Sequence, residues 1–446
     1  MAKLRASPSG PLRGAVRVPG DKSISHRALI VGVLAAGRTT VTGMLEGDDI
    51  LSTAGALRAL GARIERQPDG RWVVDGPGLG SVQEPAGVLD LGNSGTGARL
   101  MMGVVATQPF TSFFTGDASL CKRPMARVTD PLRKMGAQVL ARTGARLPLA
   151  ITGSEETTPI EYTLPVPSAQ VKSAILFAGL GTAGETTVIE PEPTRDHTER
   201  MLRRFGATVR VGDKLVGGKK LRHVTIVGEP ELRPNAVNVP GDPSSAAFLT
   251  VAALSVPGSE IRIENVGMNP LRTGIFDSLR EMGADIRFEN RRDQDDEPTA
   301  DIVVKASRLR GISVPAERAP SMIDEYPVFA MAASLAKGTT RMEGLAELKV
   351  KESNRLAAIA VGLKACGVRV AEDGDALTVE GLGGAPPGGA MVDAALDHRI
   401  AMAFLVLGLA SRSPIGVDGT ETIATSFPGF ASLMGSLGAS IVIPNR

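Results

Sequence analysis

A six-fold internal repeat is the strongest constraint this chain places on its own fold. A helix-like segment ending in Leu-Gly-Ala or a near variant, then a β-branched residue, recurs along its length. The copies are ALRALGARI (56–64), PLRKMGAQV (131–139), MLRRFGATV (201–209), SLREMGADI (278–286), GLKACGVRV (362–370) and LMGSLGASI (433–441). Their glycines, Gly61, Gly136, Gly206, Gly283, Gly367 and Gly438, lie 70 to 84 residues apart. A glycine there reads as the left-handed residue that closes a helix, with a strand starting two residues later. Six helix–Gly–strand units imply a repeated α/β building block.

A second duplication splits the six into three and three. Val18-Pro19-Gly20-Asp21-Lys22-Ser23 is echoed by Val239-Pro240-Gly241-Asp242-Pro243-Ser244. Each Pro-Gly-Asp ends a strand-like run and precedes a Ser/Ala-rich helical stretch that the Asp or Ser would cap. The two turns read as crossovers between lobes. One lobe is expected over residues 21–238, the other over 1–20 plus 239–446, with three units each around a pseudo-threefold centre. A chain of 446 residues is also too long for one ordinary core.

Composition removes several function classes. Lys+Arg 50 against Asp+Glu 48 leaves a net charge of +2 with no basic run, so nucleic acid is not an expected partner. Anionic ligands must instead be met by locally gathered cations. The two cysteines, Cys121 and Cys366, form no C-x-x-C and have no His cluster, so neither a disulfide framework nor a metal site is expected. No apolar stretch is long enough to span a membrane. The basic start MAKLRASPSG lacks an apolar signal core. A reducing cytoplasm is the expected setting, and no cofactor is implied.

Several segments put charge where chemistry could use it. In Asp21-Lys22-Ser23-Ile24-Ser25-His26-Arg27, two cations and two hydroxyls sit at a helix start, where an anion would also meet free N–H groups. The second copy has Pro243 in place of Lys22, so the turn is structural and the lysine an addition to it. Leu91-Gly92-Asn93-Ser94-Gly95-Thr96-Gly97 is a glycine-rich loop that is neither a Walker A sequence nor a dinucleotide fingerprint. Lys122-Arg123, Ser168-Ala169-Gln170-Val171-Lys172-Ser173 and Thr194-Arg195-Asp196-His197-Thr198-Glu199 place polar groups at further segment starts, where each could be a plain cap. In the C-terminal half, Ser321-Met322-Ile323-Asp324-Glu325-Tyr326-Pro327 precedes an Ala-rich helix, where an acidic residue is a good cap. Lys351, Glu352 and Arg355 crowd another helix start. Asp397-His398-Arg399 reads as a charged triplet inside an apolar helix, which demands partners or a ligand. His398 reads as the only histidine in an apolar context. Lys22, Arg27, Arg123, Arg195, Lys351, Arg355 and Arg399, with Asp324 and Glu352 for acid–base work, suit small, multiply anionic substrates. They come from both lobes, which favours closure on binding.

Seven of these segments, in order from residue 18 to 402, resemble the signature set of the 3-phosphoshikimate 1-carboxyvinyltransferases. They are PGDKSISHR, GNSGTG, KRPM, SAQVKS, DEYP, VKESNR and DHRIAM. The resemblance implies an α/β fold of two lobes, each with three βαβαββ units. It implies transfer of the carboxyvinyl group of phosphoenolpyruvate to the 5-hydroxyl of shikimate 3-phosphate. Shikimate 3-phosphate would be held by Lys22, Ser23, Arg27, Ser168, Gln170, Arg195, Asp324 and Lys351. Phosphoenolpyruvate would be held by Lys22, Asn93, Gly95, Arg123, Gln170, Arg355 and Arg399. Asp324 and Glu352 would move the protons, assisted by Lys22. A monomer without metal or cofactor is expected.

Two departures, Ala424-Thr425-Ser426-Phe427-Pro428 without a lysine and Ser-Ala-Gln at Ser168, resemble the second class of the family, which includes glyphosate-tolerant enzymes. Tolerance in some of those goes with alanine at the position of Gly95, so this chain is expected to bind glyphosate. The sister enzymes acting on UDP-N-acetylglucosamine use a cysteine or aspartate five residues before an Arg-Pro; here Ala118 stands there. A non-catalytic binding module would lack the carboxylate pair, and an RNA-end cyclase would need a nucleotide site and a covalent histidine.

Overall fold

The protein, described from a computed structural model, is seen over residues 3–444. It divides into two compact units. The N-terminal unit is Gly20–Val239 with Gln294–Glu297; the C-terminal unit is Met1–Pro19, Pro240–Asp293 and Pro298–Arg446. Gln294–Glu297, which the expected boundaries assign to the C-terminal lobe, thus cluster with the other unit.

Each unit contains three four-stranded sheets of one design. In the N-terminal unit, Leu89–Asp90 runs parallel to Thr111–Thr115, and Arg146–Thr152 and Gln138–Arg142 follow antiparallel. Glu161–Thr163, Glu185–Glu190, Lys219–Val227 and Val209–Val216 repeat this order. The third sheet is completed from the far end of the unit: Ala236–Asn238 lies parallel to Gly37–Thr42, beside Trp72–Gly76 and Arg63–Arg66. The C-terminal unit mirrors the device, since Arg13–Val16 supplies the parallel edge for Glu260–Gly267. The chain changes unit at each Pro-Gly-Asp turn, so the strand before the turn completes a sheet in one unit and the helix after it belongs to the other. Lys3–Ser7 lies between Ile415–Asp418 and Ser440–Val442, so the chain's first strand completes its last sheet.

Each repeat has one inner and one outer helix. The inner helices are Lys22–Leu34, Gly95–Val105 and Ala169–Leu180 in the N-terminal unit, and Pro243–Ser255, Tyr326–Leu335 and His398–Ala410 in the C-terminal unit. They are buried on nearly every side, with most of their polar groups gathered near their N-terminal ends. In the C-terminal unit all three pack on one another. The outer helices end at the repeat glycines, which all take positive φ, from 80° to 111°. Each forms the same closure: at Gly61 its N–H bonds Arg58 O and the next N–H bonds Leu57 O, and the other five repeat this. Four add a bond the repeat pattern did not reveal. Arg58, Arg133, Arg203 and Arg280 each donate to the carbonyl six residues on, at Ile64, Val139, Val209 and Ile286. The arginine thereby places charge at the helix C-terminus and fixes the angle of the strand.

Candidate active site

In the N-terminal unit, Asp21 caps helix Lys22–Leu34 by accepting from Ile24 N at 2.9 Å. Lys22 is thereby held at the first helical position, and its Nζ pairs with Asp49 Oδ2 at 3.0 Å. Arg27, one turn on, is buried; its donors go to Ser23 O, Ser173 Oγ and Thr198 Oγ1. It ties the first turns of three helices together.

The glycine-rich loop supplies a second cluster. Ser94 caps helix Gly95–Val105 through Gly97 N. Arg123 Nη2 donates to Asn93 Oδ1 at 2.6 Å, and Asn93 Nδ2 donates to Asp117. Arg99 Nη1 bonds Gln170 Oε1 at 2.9 Å, while Gln170 Nε2 donates to Thr96 Oγ1 at 2.8 Å. Gly95 lies between the two arginines: a Cβ there would stand 2.8 Å from both Arg123 Nη1 and Arg99 Nη1. A Cβ on Gly97 would meet Thr53 Oγ1 at 2.3 Å. Both glycines are needed for close approach rather than for an unusual φ. Ser168 caps helix Ala169–Leu180, so Gln170 sits in its first turn. Arg195 lies in the loop between strand Glu185–Glu190 and helix His197–Arg204.

The C-terminal unit gathers the carboxylates around one cation. Arg355, fully buried, opens helix Arg355–Ala365 beneath the Asn354 cap. Its guanidinium reaches Asp397 Oδ2 at 2.8 Å, Glu352 Oε2 at 2.5 Å and Asp324 Oδ1 at 3.2 Å. Burial opposes its charge, but Asp397, Glu352 and Asp324 together hold its pKa above the ordinary arginine value. Lys351 Nζ lies 3.4 Å from the same Asp324 oxygen. Arg399 Nη1 donates to Asp324 O at 3.0 Å and faces Glu325 Oε1 at 3.5 Å. Glu325 accepts from Ser244 Oγ, and Arg272 bonds both Ser244 and Asp242. The unit thus places Asp324 and Glu352 on one guanidinium, with Lys351 and Arg399 beside Asp324.

The sequence model of EPSP synthase (3-phosphoshikimate 1-carboxyvinyltransferase) matches residues 6–434. A 3-phosphoshikimate 1-carboxyvinyltransferase of Paramagnetospirillum magneticum is 64% identical over 99% of this chain and 98% of its own. Its counterpart in Rhodospirillum rubrum is 59% identical over 98% and 97%. The chain belongs to the EPSP synthase family. It is a transferase of the shikimate pathway, moving an enolpyruvyl group. An EPSP synthase from Acinetobacter baumannii superposes with a TM-score of 0.87 at 44% identity, covering 100% of both chains. The enolpyruvyl transferase NikO from Streptomyces tendae shares the fold at a TM-score of 0.77, 20% identity and 99% and 98% coverage.

Three local readings of the EPSP synthase signature segments are refined. Of the two acidic residues before helix Tyr326–Leu335, Glu325 takes the cap position, without a side-chain cap bond, and Asp324 turns to Lys351 and Arg355. The Asp397-His398-Arg399 triplet opens its helix rather than lying within it. Asp397 is the cap of helix His398–Ala410, accepting from Arg399 N, which accounts for a buried acid there. His398 is not the only buried histidine: His26, His197 and His223 are buried as well. Asp49, which holds Lys22, left no sequence signal. Arg99, Asp117, Glu325 and Asp397 lie in or beside the signature segments, but their partners Gln170, Asn93, Arg399 and Arg355 come from segments distant in sequence or from a different turn.

Proposed function

We propose that the cations and helix starts of the two units hold the anionic substrates of the EPSP synthase reaction. Lys22, Ser23, Arg27, Ser168, Gln170 and Arg195, with Asp324 and Lys351, take shikimate 3-phosphate. Lys22, Asn93, Gly95, Arg123 and Gln170, with Arg355 and Arg399, take phosphoenolpyruvate. Arginine suits this task, since its planar fork matches carboxylate and phosphate oxygens.

The observation that carries this reading is Arg355, whose one buried guanidinium touches both Asp324 and Glu352. The reaction needs two proton movements around an anionic substrate. The 5-hydroxyl loses a proton as it attacks C2 of phosphoenolpyruvate, and C3 gains one to give a tetrahedral intermediate. Elimination then removes a C3 proton and expels phosphate. Asp324 and Glu352 serve as the acid–base pair, and Lys22 stabilises developing negative charge. The enzyme works as a cytoplasmic monomer without cofactor, and glyphosate competes with phosphoenolpyruvate. Among the described residues no helix is long and apolar enough to cross a membrane.

Phosphate release from phosphoenolpyruvate tests the reading, with shikimate 3-phosphate or UDP-N-acetylglucosamine as acceptor. Release with the shikimate alone, abolished by Asp324→Ala or Glu352→Ala, is expected. Release in both variants at the normal rate overturns the assignment.

A further inference from the structure

The N-terminal unit contains a buried ion cluster that the roles above leave unused. Lys172, in the first turn of helix Ala169–Leu180, has no exposed surface. Its Nζ pairs with Glu199 Oε1 at 2.6 Å and Glu190 Oε2 at 3.1 Å, and donates to Thr194 O at 3.2 Å. Glu190 Oε1 accepts from Thr194 N at 3.1 Å and from Thr194 Oγ1. One ammonium therefore fastens the end of strand Glu185–Glu190, the first turn of helix His197–Arg204 and the backbone of the loop joining them.

That loop carries Arg195, one residue beyond the doubly held Thr194. A buried ion cluster adds little net stability over apolar side chains of the same volume. Here its members are bonded to a loop backbone, so what it fixes is position. Burial opposes the Lys172 charge, while Glu199 and Glu190 hold its pKa above the ordinary lysine value. Glu199 Oε2 has no hydrogen-bond partner among the described residues and lines a cavity of about 90 Å³ with Asp196, Arg203 and Arg222. Helix His197–Arg204 is also bonded through Thr198 to Arg27 and Ser173, so the loop is anchored at both ends.

We propose that Lys172 is a positioning residue: through Glu190 and Thr194 it fixes the loop bearing Arg195, and thereby sets the affinity for shikimate 3-phosphate. The inference rests on the assignment of Arg195 to that substrate. Lys172 acts on one substrate only, and its whole effect passes through Arg195.

A double-mutant cycle of Arg195→Ala and Lys172→Met, followed by steady-state kinetics, tests this. Lys172→Met should raise KM for shikimate 3-phosphate roughly 10-fold, the scale expected for a slightly misplaced binding group. KM for phosphoenolpyruvate should stay unchanged. In the Arg195→Ala background, Lys172→Met should add nothing. Additive losses, or equal rises in both KM values, overturn the inference and leave Lys172 a plain packing residue. No rise in Arg195→Ala overturns the Arg195 assignment and this inference with it; a rise there but not in Lys172→Met overturns the inference alone. Should Lys172→Met fail to fold, Thr194→Val keeps all three charges and removes only the Oγ1 bond to Glu190. It should raise the same KM in the same direction, and an unchanged KM overturns the inference.

Discussion

Arg355 Nε donates to Asp397 Oδ2 across 2.8 Å, while Asp397 Oδ1 accepts from Arg399 N at 3.0 Å. One buried carboxylate thus joins the cation that touches Asp324 and Glu352 to the helix that carries Arg399. Asp397→Ala removes a cap and leaves Arg355 short of its most buried partner. Breaking a buried pair from one side costs about 3–5 kcal/mol, and equilibrium denaturation should show a loss of that order. Asp397→Asn keeps an acceptor for the cap and should lose less. A loss under about 1 kcal/mol in the alanine variant, within the range of an ordinary surface pair, would show that Glu352 and Asp324 suffice for Arg355.

Glu352→Gln and Asp324→Asn separate chemistry from folding. Each leaves Arg355 with Asp397 and one other carboxylate. Denaturation midpoints should therefore move little, while turnover falls by about 10²- to 10⁴-fold, the usual contribution of an acid–base group. Single-turnover phosphate release is the measurement, and normal turnover in either variant would remove that residue from the proton transfers.

Gly95→Ala probes the phosphoenolpyruvate side of the N-terminal unit. The added methyl would stand 2.8 Å from Arg123 Nη1 and Arg99 Nη1, too close for both guanidiniums to stay in place. They are the ends of flexible side chains, so the protein should fold while the arginines shift. KM for phosphoenolpyruvate should rise, and inhibition by glyphosate should weaken by more. Equal inhibition of variant and parent would show that glyphosate does not approach Gly95.

The fold was legible because its constraints are local. A residue held at positive φ, such as Gly206 at 99°, strongly favours glycine, and six such positions mark six units. The Val-Pro-Gly-Asp duplication likewise lies where the chain passes from one compact unit to the other. The site was legible only as a set of segments. What fixes each side chain lies far away in sequence: Asp49 for Lys22, Gln170 for Arg99, Thr198 for Arg27. Such pairs leave no periodic trace, since a side chain's direction depends on how separate repeats pack. Asp324 shows the limit: two adjacent acids precede the helix, and only packing gives Glu325 the cap position and Asp324 to Arg355 and Lys351.

The repeat closure itself can be weighed at Gly206, where a Cβ would meet only Glu231 O at 3.4 Å. Gly206→Ala should cost about 1–2 kcal/mol from the left-handed backbone alone, read as a lower denaturation midpoint with activity intact. Arg203→Met, which removes the bond to Val209 O, should destabilise by about 1 kcal/mol. No change in either variant would mean the outer helix can end without its closure.

His26 gives the protein a pH dependence of known sign. It is buried with Nδ1 3.0 Å from Thr53 Oγ1; that hydroxyl donates to Asp49 O, which leaves Nδ1 as the donor to it. Burial first, then the charges of Lys22 and Arg27, push its pKa well below the ordinary 6.5; Asp21 pulls the other way. Below about pH 6.5 the unfolded chain takes up a proton that the folded chain refuses. The His26 contribution is therefore present above that pH and is lost as pH falls toward the folded-state pKa, by up to about 1.4 kcal/mol per pH unit. His26→Asn cannot take the proton and keeps a polar group near Thr53. The stability gap between parent and variant, measured by denaturation from pH 8 to pH 5, should narrow below pH 6.5. The other three histidines are common to both proteins and cancel in that difference, so a gap that stays constant would mean that His26 titrates alike in the folded and unfolded chains.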